Sequence, residues 1–242
     1  MKASELLVKC LETESVKYIF GIPGEETLDL LDALCDSAIT FIPTRHEQGA
    51  AFMANAWGRL TGSPGVCLST LGPGATNLIT GVADAFLDRS PMVAITGQIE
   101  QLRIHKESHQ YVDVVSIFKP ITKWNARIEG ASVIPEVVRK AFKLSSVEKP
   151  GPTHIELPED VAVENTDERP VPPLVITYPE PEPHLIREAV RAIKEAKRPL
   201  ILAGSSVIRG RASSALRKFA EKSHISVSTS FMGIGAVPAD SE

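Results

Sequence analysis

Val66-Cys67-Leu68-Ser69-Thr70-Leu71-Gly72-Pro73-Gly74-Ala75-Thr76-Asn77 sets a short apolar, strand-like run against a glycine-proline-glycine junction, and a segment of helical period, Leu78 to Leu87, follows it. Four to five apolar residues bounded by turn residues predict a strand buried on both faces. Two glycines and a rigid proline at a strand-to-helix junction let a ligand approach the backbone closely and leave free N–H groups above the sheet edge. A plain tight turn is the alternative. The spacing is neither a P-loop, since no Gly-Lys-Ser/Thr follows, nor the Gly-x-Gly-x-x-Gly dinucleotide fingerprint.

Outward from this junction the same alternation repeats. Strands are predicted at Tyr18-Ile19-Phe20, Thr40-Phe41-Ile42, Met92-Val93-Ala94-Ile95 and His154-Ile155-Glu156-Leu157, with another around Ile121-Thr122-Lys123-Trp124. Between them Leu6, Leu7, Cys10 and Leu11 share a helical face, as do Leu28, Leu31 and Leu34, and Val133, Val137, Val138, Ala141 and Phe142. Strands alternating with helices predict an α/β fold, a parallel sheet with helices on both faces.

Six prolines between Glu164 and Pro183 mark a linker, because proline neither continues a helix nor donates within a sheet. The predicted organisation is a domain at 1–165, a Pro-rich linker at 166–183, and the start of a second α/β domain at 184–242. In the second domain helices are expected at His184 to Ala196 and Ala212 to Lys222, with strands at Leu200 to Ala203 and Ile225 to Ser228. Two strands leave apolar helix faces and a sheet edge uncovered, so this domain is expected to be incomplete.

Composition excludes several classes of function. At 242 residues, with 43% hydrophobic and 23% charged content, the chain is that of a soluble globular protein with no apolar run of membrane-spanning length. A net charge of −4 with dispersed Lys and Arg argues against a nucleic-acid surface. The opening residues carry no secretory pattern, so a cytoplasmic location is expected. Cys10, Cys35 and Cys67 are odd in number and lack metal-ligand spacing, which predicts buried free thiols and no metal site.

A second candidate region is Arg45-His46-Glu47-Gln48-Gly49-Ala50-Ala51, after the strand that ends near Pro43. Ligands of open α/β sheets sit at the carboxyl ends of strands, which is where Glu47 falls. The helix dipole alone also favours a glutamate in a first turn.

Taken together these regions resemble the pyrimidine-binding domain of thiamine-diphosphate enzymes, in the acetolactate synthase branch. The match includes Phe20-Gly21-Ile22-Pro23-Gly24, Arg45 to Ala54, Gly58-Arg59-Leu60-Thr61-Gly62, Gly72 to Asn77, Ile95-Thr96-Gly97-Gln98, His109-Gln110 and Pro150-Gly151-Pro152. Pro199 to Gly204 and Met232-Gly233-Ile234-Gly235 resemble the family's central domain.

The resemblance implies that Glu47 is the catalytic carboxyl, hydrogen-bonded to a ring nitrogen of the cofactor's aminopyrimidine. It places Pro23, Gly24, Pro73, Gly74 and Asn77 in the cofactor site, and Gln98 and Gln110 on the substrate side. It implies decarboxylation of a 2-oxo acid such as pyruvate and transfer of the acyl unit to a second 2-oxo acid. Other 2-oxo acid decarboxylases of the family, and a non-catalytic chain that pairs with a full-length enzyme, are the alternatives. The family's diphosphate is held through Mg²⁺ by a Gly-Asp-Gly motif in a third domain, contributed across a homodimer or homotetramer interface. These 242 residues contain no such motif, so the chain alone is expected to be inactive.

Two departures bear on cofactors. Biosynthetic members usually have Phe-Gln-Glu where this chain has His109-Gln110-Tyr111, and a lysine at the position of Glu159. Thr229, Met232 and Gly233 resemble a flavin-contacting segment, and FAD binding is left undecided.

Overall fold

The computed structural model describes residues 1–239. The chain forms two compact units, Met1–Ile176 and the residues from Thr177 on.

The first unit is built on a six-stranded parallel sheet of β1 (Tyr18–Gly21), β2 (Thr40–Pro43), β3 (Gly65–Ser69), β4 (Met92–Gln98), β5 (Trp124–Arg127) and β6 (Pro152–Pro158), in the order β2-β1-β3-β4-β6-β5. β3, β4 and β6 are buried along their whole length, which is why Val66–Leu68 and Met92–Ile95 read as continuous apolar runs, whereas β6 carries His154 and Glu156. Alternate side chains feed two cores. Val66, Leu68, Val93 and Ile95 pack with α1 (Ala3–Thr13), α2 (Leu28–Cys35) and α7 (Ile134–Ser146). Cys67, Met92 and Ala94 pack with α3 (Glu47–Thr61), α4 (Gly72–Asn77), α5 (Ile79–Asp88) and α6 (Val114–Phe118). Small residues set the α3–α5 spacing: a Cβ on Gly81 would stand 2.5 Å from that of Ala51.

Four expectations about elements and helix faces need correction. The strand expected around Ile121–Trp124 begins at Trp124, because Lys119–Ile121 is a 3₁₀ turn opened by Pro120. Gly72–Asn77 is not a loop before a helix but a short helix itself, with Pro73 in its first turn, where its missing N–H costs nothing. In α2 the buried positions are Leu30 and Leu34, and Leu28 is exposed, because a 3₁₀ turn at Glu25–Thr27 resets the phase of the helix that follows. Val133 is likewise exposed, as it lies in the turn before α7.

Of the three free thiols, Cys10 and Cys67 are buried, and burial pushes both up to about 12. Cys35 is exposed, at the last residue of α2, which corrects its expected burial.

The first unit also holds the one-turn helix α8 (Glu159–Ala162) after β6. The second unit holds α9 (Pro183–Glu195), α10 (Ser205–Arg209), α11 (Ser213–Ser223) and a parallel pair, β7 (Ile201–Ala203) and β8 (Val227–Thr229). Leu185, Ile186, Val190 and Ile193 form an apolar stripe on α9 that is exposed. Among the described residues no helix is long and apolar enough to cross a membrane.

Candidate functional site

The strand order places the switch of the sheet between β1 and β3: β2 lies on one side of β1, and β3 and the later strands lie on the other. Loops that leave the carboxyl ends of two such strands diverge and open a crevice between them. Gly21 leads from β1 into Pro23-Gly24, and Ser69 leads from β3 into Thr70 and α4.

Glu47 is the first residue of α3, entered from β2 through Thr44, Arg45 and His46. His46 caps the helix: its Nδ1 accepts a hydrogen bond from Gln48 N at 3.1 Å. With the cap supplied by its neighbour, Glu47 turns inward and is only 9% exposed. Asn77 Nδ2 donates to Glu47 Oε2 at 3.0 Å. Asn77 is the only side chain among the described residues that hydrogen-bonds this carboxyl group. Its other oxygen, Oε1, faces Gly74, where a Cβ would lie 3.4 Å from it.

The glycines are spatial requirements here. A Cβ on Gly74 would also stand 2.8 Å from Thr70 Cγ2, and one on Gly24 would overlap the Thr70 side chain. Gly24, Thr70, Gly74, Glu47 and Asn77 therefore form one continuous chain of contacts. Thr70 is a member that the sequence reading missed, although it lies between β3 and α4; its hydroxyl donates to Glu26 Oε2. Pro23 and Pro73 flank the crevice as exposed residues.

The two glutamines differ in burial. Gln110 is exposed, and its backbone carbonyl sits on Gly72, which has φ +49° and no room for a Cβ against that oxygen. Gln98 is fully buried, and its amide is committed to protein groups: Nε2 donates to Val112 O at 3.1 Å and to Glu156 Oε1 at 3.0 Å, and Oε1 accepts from Ile99 N at 3.1 Å.

The N-terminal TPP binding domain of thiamine pyrophosphate enzymes matches residues 1–117, and the central domain of the same enzymes matches residues 186–242. The chain belongs to the thiamine pyrophosphate enzyme family. It is 44% identical to the probable acetolactate synthase large subunit of Methanocaldococcus jannaschii, over 99% of this chain and 42% of that protein. It is 39% identical to the acetolactate synthase large subunit of Buchnera aphidicola subsp. Schizaphis graminum, over 99% of this chain and 43% of that protein. It is also 39% identical to acetolactate synthase 2, chloroplastic, of Nicotiana tabacum, over 100% of this chain and 37% of that protein. The chain thus spans about two-fifths of the length of these relatives.

The residues at the crevice fit the pyrimidine end of the family's cofactor. A weakly basic ring nitrogen needs a carboxyl group shielded from water and free on one oxygen. Glu47 meets both conditions, held by Asn77 on one oxygen and open toward Gly74 on the other. Among the described residues no group of three or more His, Cys, Asp or Glu is placed to hold a metal ion.

Sequence reading also missed the charges beside Gln98. Glu156, fully buried on β6, lies directly opposite Arg127 of β5, whose Nε donates to Glu156 Oε2. Burial pushes the Glu156 carboxyl above the usual range, against the opposing pull of the guanidinium. His154, two residues earlier, is also fully buried, stacks on Phe118 and has Nε2 2.9 Å from Thr96 Oγ1. Burial holds it down at about 3, so it is neutral. A histidine and a glutamate inside an otherwise apolar strand were the available signal.

Proposed function

We propose that the chain supplies the aminopyrimidine-binding half of a thiamine-diphosphate site in an acetolactate synthase-like carboligase. The observation that carries this is the Asn77–Glu47 hydrogen bond beside Gly74, at the switch point of a parallel sheet. When bound, thiamine diphosphate supplies the carbon nucleophile that adds to a 2-oxo acid and accepts the electron pair left as carbon dioxide departs.

The chain's own residues hold and tune that group. Glu47 shares a proton with the pyrimidine ring nitrogen, and Asn77 fixes the orientation of the carboxyl group. Gly74 and Gly24 keep the crevice open, and Pro73 and Pro23 stiffen its rims. Gln110, exposed beside Gly72, faces the substrate. The substrates are 2-oxo acids, with pyruvate both as donor and as acceptor. Mg²⁺ and the diphosphate are held by a domain supplied by another chain of a homodimer or homotetramer, and the assembly is cytoplasmic.

The test uses full-length protein carrying this segment, supplied with thiamine diphosphate, Mg²⁺ and pyruvate. Formation of 2-acetolactate with release of carbon dioxide is expected. Release of carbon dioxide with acetaldehyde as the sole product would contradict the carboligase assignment, and failure to bind the cofactor would contradict the site itself.

A further inference from the structure

Segment 99–113 joins β4 to α6 and carries Gln110 over the Gly72 turn. Apart from the 3₁₀ turn Gln101–Arg103 it has no regular structure, and it includes two residues in the left-handed region, His105 at φ 70° and Gln110 at φ 55°. Such a segment keeps its course only if its ends are tied.

The near end is tied to the two residues that follow β6, and the far end to Gln98 at the end of β4. At the near end, Glu100 N donates to Glu159 Oε1 at 3.1 Å, and Gln101 Nε2 lies 3.4 Å from Asp160 Oδ2. Glu159, where the family's biosynthetic branch carries a lysine, here holds a backbone N–H. At the far end, Val112 O accepts from Gln98 Nε2, and the same nitrogen donates to Glu156 Oε1. Glu156 is in turn held by Arg127 from the edge strand. Val112 lies two residues from Gln110, the group that rests on Gly72.

We propose that Gln98 is a positioning residue: with Glu156 and Arg127 it clamps the Val112 carbonyl and so sets the seat of Gln110 on the Gly72 turn. It does not touch substrate. Each atom of its amide already has a protein partner, and the side chain is closed off from solvent. The clamp reaches the crevice from the far side of the sheet switch, through residues that lie outside the Gly24–Asn77 contact chain. The consequence for catalysis rests on the thiamine-site assignment above; the clamp itself does not.

Backbone hydrogen exchange in the chain without cofactor tests it. Gln98→Met keeps the side chain's length and loses both donor and acceptor, and Gln98→Glu keeps the acceptor and loses the donor; whichever folds is read. Exchange at the amides of Tyr111 and Val114, which donate to Ser108 O and Val112 O, is expected to rise about tenfold, the loss of one hydrogen bond of about 1.4 kcal/mol, with β3 unchanged. Wild-type exchange at these two amides, or an equal rise throughout the sheet, overturns the proposal. Because no cofactor is present, failure of the thiamine-site assignment would leave this result standing.

Discussion

Replacing Arg127 by methionine removes the cation that faces a fully buried carboxylate. Arg127 and Glu156 are directly opposed in the β5–β6 register, and the arginine side chain is 24% exposed against 0% for the glutamate. The geometry therefore leaves Glu156 with one remaining donor, Gln98 Nε2. Breaking a buried pair in this way costs about 3–5 kcal/mol, most of it the penalty of an uncompensated buried charge. With a urea slope of about 2 kcal/mol per molar for a unit of this size, the midpoint falls by about 1.5–2.5 M at pH 7.5. The loss has a pH signature. Burial already pushes Glu156 upward, and removing the guanidinium pushes it further, so the folded variant binds a proton more readily than the unfolded chain. Stability of the variant then falls as pH rises from the unfolded carboxyl range through the folded value, and the deficit is smaller at pH 5 than at pH 7.5. Urea titrations at the two pH values measure it. A deficit under about 1 kcal/mol, or one equal at both pH values, would refute a charged Glu156 held by Arg127.

His154 makes the opposite pH contribution. It is neutral in the fold at about 3 against an ordinary value of 6.5, so its share of stability is complete above pH 6.5 and declines by about 1.4 kcal/mol per unit as pH falls toward 3. His154→Phe should flatten that slope relative to wild type in denaturation curves between pH 4 and 7. Gly74→Ala, with a Cβ 2.8 Å from Thr70 Cγ2 and 3.4 Å from Glu47 Oε1, should cost about 1–3 kcal/mol in thermal unfolding. It should also weaken thiamine diphosphate binding in full-length protein, as calorimetry would show; wild-type affinity would remove Gly74 from the site.

How much of this was legible in the sequence depended on whether the signal was local. β3 and β4 announce themselves because both faces are covered and their runs Val66–Leu68 and Met92–Ile95 are apolar at every position. β5 does not, because an edge strand with half-exposed residues has no such demand, and Trp124-Asn125-Ala126-Arg127 reads as polar chain. Leu28 misled for a related reason: periodicity carries no record of a 3₁₀ turn that shifts the helix phase. At the site, Glu47 and the Gly72–Asn77 block lie at the ends of legible strands, and the family resemblance supplied their roles. That Asn77 is the group which holds Glu47 is a contact across 30 residues and needed the structure. The Arg127–Glu156–Gln98 clamp was invisible for the same reason, since its members come from three strands paired by topology.

We propose that Glu47 activates bound thiamine diphosphate. Proton–deuterium exchange at the cofactor's C2 position, followed by NMR after acid quench, measures this in full-length protein without substrate. Glu47→Ala should slow exchange by about 10²–10⁴ while the cofactor stays bound and the fold is kept. Exchange at the wild-type rate in that variant would contradict the role of Glu47.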